Sequence, residues 1–325
     1  MHSDKTVVLT FDYEVFLGAK TGGVYTSVIA PTARILDILK NNHARAIFFV
    51  DATWLLFIRA EIPIVYQNVV AQLKNIVKAG SSVELHLHPQ WLDAIYKDGE
   101  VVFRTMKHYR LHSLSEQKIM DLFEEATDLL QKITGNRVVC FRAGGWCVEP
   151  FGMLRNAFLK TGIKCDMSVL RGVLYKDTLG NGYDYSDVPQ DYHYSFNYQT
   201  TVKDEQGPFV EIPVSTYFNN PIYRIINKFL YIIRRDTIFG DGEGSKKKSF
   251  FESLVNLFVF SKVGFTLDRI NSLMFKYIFR VHFRNSRFVV VVSHPKNMSF
   301  EGLKNLEFIV KKYKTINSMD LKSIL

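Results

Sequence analysis

A chain of 325 residues that is 47% hydrophobic and 22% charged has the make-up of a globular protein with a sizeable core, which excludes a disordered or low-complexity chain. Its net charge of +9 is unevenly spread: residues 1–220 hold 22 Lys and Arg against 24 Asp and Glu, whereas residues 221–325 hold 19 against 8. No apolar run reaches the ~18 residues of a membrane span, and Met1-His2-Ser3-Asp4-Lys5 lacks the layout of a signal peptide. The three cysteines, Cys140, Cys147 and Cys165, form no CxxC pair and point to a reducing cytosol.

In chain order, Thr6–Thr10 reads as a buried strand, followed after a loop by a helix over Pro31–Asn42. Ala44–Val50 is a second strand, and the periodicity predicts a helix over Ile64–Ala79 closed by Gly80. Ser82–His88 is a third strand. Ser115 opens a helix, with a capping-box pattern from Ser113 to Glu116, that runs to Thr134 before Gly135. Arg137–Phe141 is a fourth strand and Pro150–Thr161 a helix. Lys164–Val169 and Phe209–Val214 read as the fifth and sixth strands. Arg224, Lys228 and Arg235 fall at spacings of four and seven, with Ile225, Ile226, Phe229 and Ile233 beside them. That pattern fits a helix packed on the core with a basic edge, or one lying on a membrane surface. Gly240–Ser245 and Lys246–Lys248 then form a surface loop, Arg287–Ser293 is the last strong strand, and Ser299–Tyr313 a final helix.

Seven apolar strands separated by helices predict a parallel sheet covered on both faces. The expected fold is α/β, a single domain of the deformed (β/α)7-barrel type with long loops at the strand C-terminal ends. Insertions are expected near residues 91–114 and 171–208, with the basic helix and loop near 221–250.

Polar clusters lie at the C-terminal ends of these strands, where β/α barrels assemble their sites. The first strand ends in Thr10-Phe11-Asp12-Tyr13-Glu14, which puts Asp12 and Glu14 on one side of an extended backbone. Such a pair can divide metal binding and base catalysis between its members. The third strand ends in His86-Leu87-His88-Pro89, two same-face histidines suited to a divalent metal. Arg142, followed by Gly144-Gly145-Trp146, ends the fourth and can hold a carboxylate. His294 ends the last.

With Thr10-Phe11-Asp12, Ala46-Ile47-Phe48-Phe49-Val50, the His86/His88 segment, Phe141-Arg142-Ala143-Gly144-Gly145 and Ser293-His294-Pro295 in this order, the chain resembles the polysaccharide deacetylases (NodB-like, carbohydrate esterase family 4). It looks closest to the WalW-like branch associated with lipopolysaccharide biosynthesis. The resemblance implies that Asp12 is the catalytic base, Arg142 the residue tethering it and His294 the general acid. It makes Glu14 and His86 metal ligands. The family's second histidine, four residues after the first, is replaced by Gln90, so either His88 takes that role or the metal shell differs. Gly144, Gly145, Trp146 and Trp91 are the expected substrate-binding residues, and Asp166 a candidate to orient His294.

The implied activity is removal of an N-acyl group, N-acetyl in the first instance, from an amino sugar in a polysaccharide or lipopolysaccharide precursor. The metal expected is zinc, with cobalt, nickel or manganese as alternatives. Alternatives in function are hydrolysis of another amide, such as a formamido sugar or small cyclic amide, and a catalytically silent carbohydrate-binding relative. The expected partners are an N-acetylated amino sugar, lipid-linked in one reading, and an anionic membrane at the periphery, with no nucleic acid. The expected location is cytoplasmic, at the inner membrane face where the basic segment binds.

Overall fold

Strands form where β-branched and aromatic residues run together, and helices where apolar residues recur every three or four positions. The computed structural model describes residues 3–105, 107–176, 182–244, 260–284 and 286–323. In chain order its first half holds β1 (Ser3–Tyr13), α1 (Ala30–Asn41), β2 (Ile47–Asp51), α2 (Ala52–Glu61), α3 (Pro63–Lys78), β3 (Ser82–Leu87), α4 (Glu116–Thr134) and β4 (Cys140–Ala143). There follow α5 (Arg155–Thr161), β5 (Cys165–Asp166), β6 (Tyr194–Phe196), β7 (Phe209–Glu211), α6 (Pro221–Arg234), α7 (Ser272–His282), β8 (Phe288–Ser293), α8 (Phe300–Val310) and β9 (Tyr313–Ile316). These elements divide between two compact units interleaved in sequence, one of Met1–Ala46 with Ser215–Ile316 and one of Ile47–Val214 with Asn317–Leu325.

In the second unit, β2, β3, β4, β5 and β7 pair in that order, all parallel, and β6 closes the edge antiparallel to β7. The register sets Asp51 opposite His86 and His86 opposite Arg142. Three polar side chains thus start in one row at the strand ends. The helix α4 buries Ile119, Phe123, Ala126 and Leu130 at helical spacing. Its cap is Ser115, whose hydroxyl accepts the Lys118 N–H at 3.4 Å, while Ser113 belongs to a preceding 3-10 turn. The capping box expected from Ser113 to Glu116 therefore does not form.

In the first unit, β1 pairs in parallel with both β8 and β9, with Thr10 opposite Val292 and Phe11 opposite Ser293. That register brings the C-terminal end of β1, which holds Asp12, beside the segment after β8, which starts at His294. An aromatic cluster of Phe275, Phe279, Phe308 and Tyr313 ties α7 to α8 and β9.

Several expected boundaries shift for local reasons. β4 starts at Cys140 rather than Arg137, because the N–H groups of Val139 and Cys140 donate to the buried Glu84 carboxylate, both at 2.8 Å, instead of to a strand. The helix α2 follows Asp51, which caps it by accepting the Trp54 N–H at 3.3 Å. Six of the ten residues of α2 are buried, the first four in succession, so it lacks the one-sided apolar stripe by which a helix is recognised. The insertions carry small antiparallel pairs, Ala94–Lys97 with Glu100–Phe103 and Leu174–Lys176 with Gly182–Asp184. The Lys246–Lys248 loop lies outside the described residues. Among the described residues no helix is long and apolar enough to cross a membrane.

Candidate active site

In the first unit, Asp12 and Glu14 are 2% and 4% exposed. His294 presents Nε2 to both of them, 3.5 Å from Asp12 Oδ2 and 3.7 Å from Glu14 Oε1. Its other ring nitrogen, Nδ1, lies 2.7 Å from Asp268 Oδ2. A carboxylate only accepts, so this bond places a proton on Nδ1 and fixes the ring. The second oxygen of Asp268 accepts from the His294 backbone N–H at 3.2 Å and from the Ser293 hydroxyl. Asp268, and not Asp166, orients the histidine. Asp166 instead accepts from the amide and hydroxyl of Ser168, at 3.0 and 2.7 Å, in the second unit.

Burial alone lowers the pKa of His294, but the Asp268 hydrogen bond and the charges of Asp268, Asp12 and Glu14 outweigh it and hold the imidazole above its ordinary value. Lys296 completes this group. Its ammonium donates to Glu14 Oε1 and to the Val15 carbonyl, both at 2.9 Å, and lies 5.3 Å from the centre of the Phe16 ring. Burying a lysine this far is costly unless a carboxylate shares the site.

In the second unit, the His86 and His88 rings meet edge to face with centroids 4.7 Å apart. His86 Nδ1 is 2.8 Å from the Arg142 carbonyl oxygen. A carbonyl also only accepts, so Nδ1 carries the proton and Nε2 carries the lone pair, the tautomer of a metal-binding histidine whose other nitrogen is held by a hydrogen bond. The backbone of His88 is held by Thr53 and Asp51, whose side chains accept its N–H at 2.9 and 3.3 Å. Thr53 in turn donates to Asp51 at 2.5 Å.

Arg142 is fully buried, donates from Nε to the Met167 carbonyl at 3.0 Å, and stacks over Phe49 and Trp146 at 4.2 and 5.3 Å. A β-carbon at Gly144 would stand 2.5 Å from the Leu87 carbonyl oxygen and 2.7 Å from His88 Nδ1, so only glycine fits against this histidine. Gly145 and Trp146 both have positive φ, 61° and 64°. For a tryptophan that is a strained backbone, of the kind found at binding sites. Tyr185 supports it by donating to the Trp146 carbonyl at 2.5 Å. Trp91, 3% exposed, packs between Phe57 and Phe103 with ring centroids 5.1 Å from each.

One atom each of Asp12, Glu14 and His294 falls within 4.8 Å of the others, a grouping able to hold a cation. This first-unit donor set, an imidazole with its outer nitrogen fixed and two buried carboxylates, suits zinc and related divalent metals. Lys296 is the one element set against it, since its ammonium occupies an oxygen of Glu14.

Residues 1–150 match the family described as Polysaccharide deacetylase. No curated protein matches the chain. Among solved structures, a putative polysaccharide deacetylase from Mycobacterium smegmatis is 13% identical over 98% of this chain and 89% of its own, with a TM-score of 0.51. The peptidoglycan deacetylase PdaC of Bacillus subtilis is 14% identical over 98% of this chain and 91% of its own, with a TM-score of 0.39. A family 4 carbohydrate esterase from Streptomyces lividans in complex with acetate is 18% identical over 50% of this chain, with a TM-score of 0.33. The chain spans 62% of that esterase, less than two thirds of its length. The likeness to the Mycobacterium smegmatis structure shows the fold, an α/β fold of the deformed-barrel class.

Proposed function

We propose that the chain is a metal-dependent hydrolase that removes an N-acyl group, N-acetyl in the first instance, from an amino sugar of a polysaccharide or lipopolysaccharide precursor. The observation behind this reading is the Asp12–His294–Asp268 chain: an acid–base couple whose histidine is fixed in one tautomer and biased toward the charged form. A module that only binds sugar needs no such couple. The match of residues 1–150 to the Polysaccharide deacetylase family supports the same chemistry.

In this reading Glu14, His86 and His88 hold the metal, zinc before cobalt, nickel or manganese. When bound, it supplies polarisation of the acyl carbonyl and acidification of a water molecule. Asp12 accepts the proton of the attacking water. Arg142 keeps Asp12 ionised. His294, protonated, delivers its Nε2 proton to the departing nitrogen, which would otherwise be a very poor leaving group. Asp268 holds the imidazolium through Nδ1. Gly144, Gly145 and Trp146 shape one wall for the acyl group, with Trp91 behind them, and the substrate is carried on a lipid at the cytoplasmic face of a membrane.

The test is release of acetate from N-acetylated amino-sugar oligomers by the purified, zinc-loaded chain. Acetate release that stops with a chelator and resumes with zinc is expected; none from any N-acetylated hexosamine polymer removes the substrate class. The Lys296 ammonium on Glu14 favours one other reading, a catalytically silent carbohydrate-binding relative, in which the purified chain would bind sugar and carry no metal.

Because Lys296 competes with a metal for Glu14, Lys296→Met should tighten zinc binding by about tenfold, as a chromophoric chelator in competition would report. An unchanged affinity would show that the two cations do not share that carboxylate.

The His294 shift predicts a pH dependence. A raised pKa means the imidazolium persists above the ordinary histidine value of ~6.5 and is lost as pH rises through the raised value. Its contribution to stability is therefore complete below the unfolded pKa and fades over the same rise. In Asp268→Asn the strongest of the raising influences goes and burial, which lowers the pKa, remains. The alkaline limb of the rate profile should move to lower pH. A limb unmoved by this substitution would deny Asp268 its orienting role.

A further inference from the structure

The helix α6 is amphipathic with its faces reversed. Four of its polar residues fasten it to the first unit, among them Arg224, whose guanidinium donates to the Ser261 hydroxyl. Asn227 accepts the Asn271 N–H at 2.7 Å and donates to the Arg269 carbonyl at 3.0 Å. Arg234 pairs with Glu301 at 3.0 Å, and Tyr223 meets Tyr277 edge to face with centroids 5.9 Å apart. Residues 223, 227 and 234 are separated by four and seven positions and so share one face. Ile222, Ile225, Ile226, Phe229, Ile232 and Ile233 form a second stripe, spaced by three or four, whose centre lies roughly 140° around the helix at 3.6 residues per turn. All six are exposed, from 41% at Ile226 to 65% at Ile222. No residue of α6 is buried.

A surface helix ordinarily turns such a stripe toward the core. This one turns it outward, and an exposed apolar stripe of this size marks a docking surface. The charges beside it indicate what docks. The helix carries no Asp or Glu, Arg224 and Lys228 lie one turn apart on it, and Arg235 follows directly as its C-cap. Lys228 and Arg235 are exposed. The surrounding sequence, residues 221–325, contains 19 Lys and Arg against 8 Asp and Glu. Isoleucine and phenylalanine on one face with basic residues at its border match the depth profile of a bilayer surface, where apolar side chains reach the acyl boundary and cations meet lipid phosphates.

We propose that α6 lies flat on an anionic lipid bilayer, its isoleucine and phenylalanine stripe in the interface and Lys228 and Arg235 on the phosphates. None of these α6 residues belongs to the Asp12–His294 group, and the test of this surface needs no substrate.

The experiment is co-sedimentation of the full chain with vesicles of phosphatidylcholine, with and without phosphatidylglycerol. The wild-type chain should pellet with the anionic vesicles and much less with the neutral ones, and added salt should release it. Phe229→Asp with Ile226→Asp should abolish pelleting with circular dichroism and melting temperature unchanged, because both side chains are exposed. Lys228→Glu with Arg235→Glu should weaken partition by about tenfold or more. Wild-type chain that stays in the supernatant overturns the proposal, as does pelleting indifferent to the aspartates. It is overturned too if the aspartate variant melts at a markedly lower temperature, which would mean that the chain itself covers the stripe. A wild-type dimer that the aspartates convert to monomer would assign the stripe to a second copy instead.

Discussion

Asp12→Asn should lower turnover by at least ~100-fold, within the range that general acid–base catalysis supplies, with the fold and the metal content unchanged. Asparagine keeps the shape of the side chain in a site where Asp12 is 2% exposed, so packing is preserved. It removes two things at once. An amide cannot take the proton of the attacking water. The charge that helps hold the His294 pKa up is also lost, since Asp12 lies 3.5 Å from Nε2 and is one of the charges that raise it. The imidazolium would then be less populated at neutral pH, so both losses act in the same direction. Steady-state rates together with elemental analysis of the same preparation check this. Activity within a few-fold of wild type would mean that another group is the base.

His86→Ala should remove the metal rather than merely slow the reaction. The Arg142 carbonyl holds Nδ1 at 2.8 Å, which directs the Nε2 lone pair to a single task, and alanine offers no donor in its place. Purified His86→Ala is expected to contain far less than one zinc per chain where the wild type contains about one, as outer-shell changes alone already cost ~10–100-fold in affinity. The substitution also leaves the buried Arg142 carbonyl without that bond, a cost of about 1–3 kcal/mol, so a modest fall in melting temperature is expected beside the loss of metal. His86→Gln, which can still donate to that carbonyl, should regain stability without regaining zinc. Full zinc occupancy in both variants would contradict the assignment.

The pairing of Asp12 with His294 was legible because strands end where β-branched runs end, and the residues at the C-terminal ends of β1 and β8 must then lie side by side in a parallel pair. The same logic aligned His86 with Arg142. Asp268, Lys296 and Asp51 were not legible. Asp268 sits in an irregular stretch after Phe265 with no periodicity to mark it, and only tertiary structure brings it to His294, 26 residues on. Asp166, on an apolar strand, is a candidate partner in the sequence with no motif to pin it, and its carboxylate serves the turn at Ser168. Lys296 has the appearance of a solvated lysine in sequence, and its burial follows from the path of the chain after Pro295. Asp51 was hidden because the apolar α2 that it caps has no recognisable stripe. For α6, the expected pattern of apolar and basic residues was present, whereas its orientation depended on where Asn227 and Arg234 find partners.

The reading as a whole rests on one cation shared by ligands far apart in sequence. The most direct measurement is an anomalous difference map, at the absorption edge of zinc, from crystals of the zinc-loaded chain. The account predicts one strong peak ligated by Glu14, His86 and His88, with Lys296 withdrawn from Glu14. A zinc peak bound to none of these three residues, or no peak in a sample shown to contain one zinc per chain, would contradict it.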